Sequence, residues 1–414
     1  MSKEFMEEYM KQFVLLIGAT GMALSFACAG RVMGADQKDW PQFRGPNQDG
    51  ISNESLWNPQ ALTNSGKVIW KATVGAGYSS MAISGDKLFT MGNKDNKDIV
   101  SALNLKDGTI LWQHSYACPS GGYPGPRATP ASDGKRVYTL SREGDLFCLD
   151  ANTGAVQWQK NLTKDFQAAN VQWGFSASPV IKDNLLLLNA CEYGICLNRM
   201  TGEKVWASPA GTGGYAAPVL YQVGKTDCLA IFGAKALYGV ELSTGRKLWS
   251  SNWTTSYDVN AADPIPLDGK IFISSGYGKG ATVLDISGAE PRNIWTSTVM
   301  RNHFSSCVLL NGFLYGIDGN AGNGSLKCID FATGTEKWAH NLGFGSLTAA
   351  GDKLIVLNEK GDLSVVKASP TAFELVAAAG KVLEKTCWTS PVLCRGMIFC
   401  RNDKGDIVAL NVSK

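Results

Sequence analysis

The chain predicts an all-β fold, an eight-bladed β-propeller of four-stranded antiparallel blades, and three observations carry that expectation. The first is a motif met five times: LNLKDGTILW (103–112), LDANTGAVQW (149–158), LNRMTGEKVW (197–206), VELSTGRKLW (240–249) and IDFATGTEKW (329–338). Each has an aliphatic residue nine places before a Trp and a Gly four places before it. The second is the period: Trp70, Trp112, Trp158, Trp206, Trp249, Trp295 and Trp338 lie 42 to 48 residues apart, the length of one propeller blade. The third is what precedes the motifs: a β-rich run such as RVYTLS or KIFISS and, before it, a run of small residues with Pro, such as ATPAS or SASPV.

In chain order, residues 11–35 (KQFVLLIGATGMALSFACAGRVMGA) read as a secretory signal: a lysine, an apolar core from Phe13 to Ala29, then small residues with a cleavage point near Ala35. The acidic MSKEFMEEY ahead of it departs from a positive leader, and Met10-Lys11 offers a second start. An uncleaved anchoring helix is the other reading, although an apolar run of 17 residues is short for a bilayer. The expectation is an exported protein of the periplasm or cell envelope, not membrane-spanning once the signal is removed. Residues 36–66, with PQFRGPNQDG, are expected to form an extended arm lying on the propeller, and residues 67–414 the propeller itself.

Within each repeat the motif reads as a strand, a tight turn at its Gly, and a second strand ending on the large aromatic. Inner strands begin near Ser79, Ala128, Ala177, Ala216, Ala261, Ser305, Ser346 and Thr389, which makes eight. The fifth repeat, LDISGAEPRNIW (284–295), carries two extra residues, and the seventh has FELVAAA (373–379) in place of the Trp segment. The eighth stops after GDIVALNV (405–412), three strands long. KVIWKAT (67–73) supplies the missing fourth, so an N-terminal strand completes the last blade and leaves few open sheet edges.

Composition agrees with a folded β protein: 44% hydrophobic and 18% charged residues, 46 Gly and 12 Trp in 414 residues. A net charge of +3 without a basic run excludes a nucleic-acid footprint. The cysteines form no CxxC or CxxCH, which excludes zinc-ribbon and haem-attachment readings. Cys148, Cys196 and Cys328 share one slot of the repeat, as small buried hydrophobes do. Cys191 with Cys196, or Cys394 with Cys400, could pair across strands in an oxidising compartment.

The run LDANTGAVQW resembles the tryptophan-docking repeat of eight-bladed quinoprotein (pyrroloquinoline quinone, PQQ) dehydrogenases. It is similar as well to bacterial PQQ-like repeat proteins, including the outer-membrane-assembly propeller lipoprotein. DWPQFRGPNQDGIS (39–52) resembles the opening of exported PQQ-like propellers of planctomycete-type bacteria. The resemblance spans the mature chain and implies the fold. For function it implies either a scaffold or an enzyme, because the docking Trp packs blades together and does no chemistry.

Candidate chemistry sits where inner strands begin, at the mouth of the central channel. Three places before the Pro of each inner strand come Tyr78, Arg127, Ser176, Tyr215, Ala261, Phe304, Phe344 and Trp388, a mostly aromatic ring. Polar exceptions cluster on adjacent blades: Asp258 and Asn260 on the fifth, Arg301, Asn302 and His303 on the sixth, with Arg127 across the mouth. The loops 117–127 and 162–175 bring Tyr123 and Trp173 over it. A flat anionic cofactor would stack on Trp173, Tyr215 or Trp388 and take hydrogen bonds from Arg127, Arg301 and Asn302. Asp258 and Asn260 offer oxygen ligands for Ca²⁺, and Asp258 or His303 a general base. The alternative is that these residues line a watery channel and satisfy loop ends.

Two functions follow. One is a non-catalytic binding or assembly scaffold with an envelope-protein partner or a small-molecule ligand at the channel mouth. The other is a PQQ- and Ca²⁺-dependent dehydrogenase oxidising an alcohol or a sugar. The chain has no adjacent Cys-Cys pair of the kind that caps PQQ in many such enzymes, and no haem motif. The first reading is therefore preferred.

Overall fold

The computed structural model describes residues 39–63 and 68–414; the leader expected at 1–35 lies outside them. Among the described residues eight sheets are present, seven of four strands and one of five; each is a run of antiparallel strands, and the fifth strand, Ile51–Ser52, adds in parallel. The first blade shows the pattern: Ala82–Ser84, Lys87–Lys94, Lys97–Asn104 and Ile110–Ala117 run from axis to rim. Among the described residues helix is confined to short pieces such as Leu162–Phe166. Among the described residues no helix is long and apolar enough to cross a membrane. Closure is as expected: Val68–Thr73 pairs antiparallel with Asp406–Asn411, and Trp70 lies opposite Ala409.

The core lies between blades, because each sheet has two apolar faces and buries both against its neighbours. One cluster joins Tyr138 and Leu146 of the second blade to Leu186 and Ile195 of the third; another joins Ile83 of the first to Phe399 of the eighth. The repeated Trp couples these blades in a second way. The indole N–H of Trp112 donates to Ala151 O, Trp158 to Arg199 O and Trp206 to Leu242 O, each in the next blade, at 2.8–3.0 Å.

That contact explains the motif Gly. Gly154, Gly202 and Gly245 adopt φ of 72 to 73°, and a Cβ on any of them would lie 2.5–2.9 Å from the preceding blade's Trp ring. The spacing Gly-x-x-x-Trp therefore encodes a blade-to-blade socket. Where the fifth repeat carries two extra residues, its Gly288 meets no Trp, and Trp249 lies instead against Gly239 of its own blade.

The stretch from Asp39 to Ser52 is turned, not extended, and lies along the channel, whereas Pro59–Leu62 lies on the outer strand Leu375–Lys381, where Gln60 Nε2 donates to Val376 O. Trp40 exchanges backbone hydrogen bonds with Ile83 at 3.0 and 2.7 Å. Ser132 N–H donates to Pro41 O, Ile181 N–H to Gln42 Oε1, and Gln48 Nε2 to Pro218 O. Arg44 reaches Asp263 and Cys307, Ile51 pairs in parallel with Ala349, and Ser52 Oγ donates to Leu393 O. These partners belong to the inner strands of blades one to eight in turn. So short a segment reaches all eight only at the axis, where inner strands converge. Left-handed conformations at Arg44, Gly45, Gln48 and Gly50 provide the turns.

The ten cysteines of the described residues are all buried as thiols, so neither possible pairing forms and packing is their role. They fill the core: Cys196, for instance, lies between Leu187 and Trp206 of its neighbouring strands.

Candidate functional site

At the end of the channel where inner strands begin, a cavity of about 250 Å³ opens to solvent. Its wall is a run of aromatic contacts. Tyr78 stacks on Trp388 at 5.2 Å between centroids, and Phe304 meets Trp388 at 4.9 Å. His303 touches Phe304 at 4.0 Å and Tyr277 at 4.6 Å, while Tyr123 bridges Trp173 and Trp388 at 5.7 and 6.1 Å. Further down the inner strands lie the hydroxyls of Ser80, Thr129, Ser178 and Ser390, and Phe43 of the N-terminal segment is part of the lining.

The charge in this cavity is one-sided. Arg127 is a lining residue, and the lining contains no carboxylate. Its Nη2 donates to Tyr123 O at 3.2 Å, the guanidinium lies 5.8 Å from the Tyr78 ring centroid, and its Nη1 is buried without a partner. Burial, with the nearby Arg142 charge second, pulls its pKa down from the usual guanidinium value. A half-buried cation with one buried, unpartnered N–H group and no counter-ion is a costly arrangement, and a ligand anion would relieve it. His303 behaves differently: burial lowers its pKa to about 4, and its Nδ1 accepts the Ala321 N–H at 3.4 Å, so the ring is neutral at pH 7.

The expected site residues divide. Arg127, Trp173, Tyr215, His303 and Trp388 share the cavity. Tyr215 supports the wall itself, its hydroxyl accepting the Trp173 N–H at 3.4 Å. Asn260, expected as a metal ligand, is fully buried below the surface. Its Nδ2 donates to Gly233 O, Ala234 O and Trp253 O, and its Oδ1 accepts from Thr255 and Ser275 hydroxyls. No lone pair is left for an ion. Asp258, expected as a metal ligand and base, lies outside the cavity lining and pairs with Lys235 at 2.6 Å. Among the described residues no three His, Cys, Asp or Glu side chains are grouped to hold a metal.

Arg301 and Asn302 are likewise drawn elsewhere. Arg301 forms a two-pronged pair with Asp318 at 2.8 and 2.7 Å. Asn302 is fully buried, donating to Ile317 O and accepting from the Cys307 thiol. The physical reason is common to these four corrections. Blades splay as they leave the axis, and polar side chains beside inner strands satisfy the backbone and charges exposed there.

Sequence reasoning missed Phe43 and the layer beneath the aromatic wall, although a signal was present. One place before the Pro position the eight inner strands carry Ser80, Thr129, Ser178, Ala217, Asp263, Ser306, Ser346 and Ser390. Several of these side chains accept the previous blade's N–H: Ser80 to Thr129 at 3.1 Å, Thr129 to Ser178, Ala217 to Asp263 and Asp263 to Ser306, each at 2.9 Å. Six hydroxyls with two departures, Ala217 and Asp263, are legible only once this register is chosen.

The family model for outer membrane protein assembly factor BamB matches residues 60–120 and 96–340 of the chain. Outer membrane protein assembly factor BamB of Yersinia pestis is 23% identical over 257 residues, covering 54% of this chain and 59% of that protein's length. The BamB of Xanthomonas campestris pv. campestris is 25% identical over 355 residues, covering 71% and 83%. Among solved structures, the quinohemoprotein alcohol dehydrogenase of Comamonas testosteroni superposes with a TM-score of 0.68 at 13% identity, covering 93% of this chain and 83% of that one. This last likeness is one of fold.

Proposed function

The chain belongs to the family of outer membrane protein assembly factor BamB, and from that premise we propose that it is an exported, non-catalytic scaffold of the cell envelope. In this reading the channel-mouth cavity is its ligand site, and the ligand is a small flat anion. The observation that carries the ligand class is Arg127, a half-buried cation whose Nη1 is buried without a hydrogen-bond partner, in an aromatic cavity whose lining holds no carboxylate. Stacking on Trp388 or Trp173 would supply apolar contact, and Arg127 the charge-assisted hydrogen bond that fixes orientation. What supports a non-catalytic role is the state of the candidate base and ligand residues. Asp258 is paired with Lys235, Asn260 is saturated, and His303 is a neutral ring wedged between aromatics.

The second reading, a dehydrogenase using PQQ with Ca²⁺, shares the same cavity. The residues fit a flat polyanion such as PQQ, through the aromatic wall and Arg127. They do not fit the calcium ion, since the two expected donors do not converge. No reaction step is therefore derived through either group. One set of measurements separates the readings: titrate the full-length protein with PQQ, with and without Ca²⁺, and follow dye reduction over a panel of alcohols and sugars. The scaffold reading expects no dye reduction; turnover that rises with added Ca²⁺ would overturn it. Crosslinking in envelope extract should recover a defined protein partner, and its consistent absence counts against the assembly role.

A further inference from the structure

The stretch of chain ahead of the first blade is a stopper, and its placement bears on what the mouth cavity accepts. It rises through the channel from the end opposite the mouth, starting with the Trp40 pairing to Ile83, and ends its approach at Phe43 on the cavity lining. The two departures from the hydroxyl layer receive it. Phe43 packs against the apolar cluster containing Ala217, where a hydroxyl would meet an aromatic ring. Arg44 lies 3.6 Å from Asp263, where a hydroxyl would leave its charge unanswered. Blades and segment are thus matched at these two positions.

We infer that Phe43 is the residue that sets the size limit of the mouth cavity, by turning an open channel into a blind cup. The inference rests on the cavity being a ligand site, as proposed above. A ring seated in the aromatic wall with its carboxylate on Arg127 has room in the plane of the wall. Extension along the axis is stopped by the Phe43 side chain. Removing that side chain opens the space between the wall and the hydroxyl layer, so longer rings gain contact while short ones gain none.

The test uses the full chain and three probes of increasing length, benzoate, 2-naphthoate and 2-anthroate, titrated by calorimetry into wild type, Phe43→Leu, Phe43→Ala and Arg127→Ala. Wild type is expected to favour the shorter probes, and Phe43→Ala to shift the preference toward 2-anthroate by about tenfold, with Phe43→Leu between them. Hydrogen exchange of the Trp40–Gly50 amides reports whether the segment stays seated. If Phe43→Ala loses that protection, Phe43→Leu with protection retained carries the comparison. Binding that depends on Arg127 but keeps one size order in all Phe43 variants overturns the inference alone. Binding of none of the probes to wild type overturns the ligand-site reading, and the size limit with it.

Discussion

Replacing Arg44 with Ala should destabilise the protein in a strongly pH-dependent way. Arg44 is almost fully buried and donates to Gln48 O, Asp49 O and Cys307 O at 2.8–3.1 Å, with Asp263 3.6 Å away. At an effective dielectric constant near 20, that separation gives an attraction of about 4–5 kcal/mol before desolvation is counted. Burial raises the Asp263 pKa from 3.8 to about 6, with the Arg44 charge opposing the rise. A carboxyl raised in the folded state holds its proton longer there than when unfolded. Its contribution is thus fully present below pH 3.8 and is lost as pH climbs through about 6. Two units correspond to about 3 kcal/mol.

In Arg44→Ala the opposing charge is gone, so the Asp263 pKa rises further and the window of loss moves upward. The expected cost is about 3–5 kcal/mol at pH 7, the range for an orphaned buried charge, and clearly less at pH 4, where Asp263 is neutral. Asp263→Asn should remove this slope. The wild-type slope alone does not suffice, because His303 acts in the opposite sense: its pKa falls to about 4, so its contribution is lost as pH falls from 6.5. The assay is urea denaturation of wild type and both variants between pH 4 and 8, read as differences. An Arg44→Ala cost equal at pH 4 and 7, or an Asp263→Asn profile parallel to wild type, would refute the assignment of this pair.

Arg127→Ala should weaken binding of an aromatic carboxylate at least about tenfold, while leaving the urea midpoint unchanged or raised, since an unneutralised, half-buried cation is removed. Gly245→Ala should cost over about 2 kcal/mol, because the new methyl would lie 2.5 Å from the Trp206 ring. Gly312→Ala, also at positive φ but with open space around it, should cost about 1 kcal/mol, and thermal melts of the two variants read the difference. His303 should show no protonation between pH 5 and 8 in NMR titration of its ring carbons, so ligand binding should not vary with that group over the range. A midpoint near 6.5 would mean the ring is not buried as described.

The eight blades, their closure and their docking tryptophans were legible in the chain because each is a local pattern repeated. A period near 45 residues, a Gly four places before Trp and an unpaired final strand need no knowledge of what lies across the axis. Most of the aromatic ring of the mouth and Arg127 followed from the same register, since seven of the eight inner strands present the equivalent position to one cavity, Phe344 being the exception. Asp258, Asn260, Arg301 and Asn302 stood just ahead of those positions, yet only the folded chain determined their partners. Lys235 lies 23 residues from Asp258, and Asp318 lies 17 from Arg301, close enough in space to draw those charges out of the cavity. Polarity could be read from the sequence; which groups were already satisfied could not, because hydrogen bonding depends on atoms brought together by adjacent strands. The stopper shows the same division more sharply. Arg44 and Asp263 are 219 residues apart, with no common motif, and meet because closing eight blades brings the inner strands to one axis that the N-terminal segment fills.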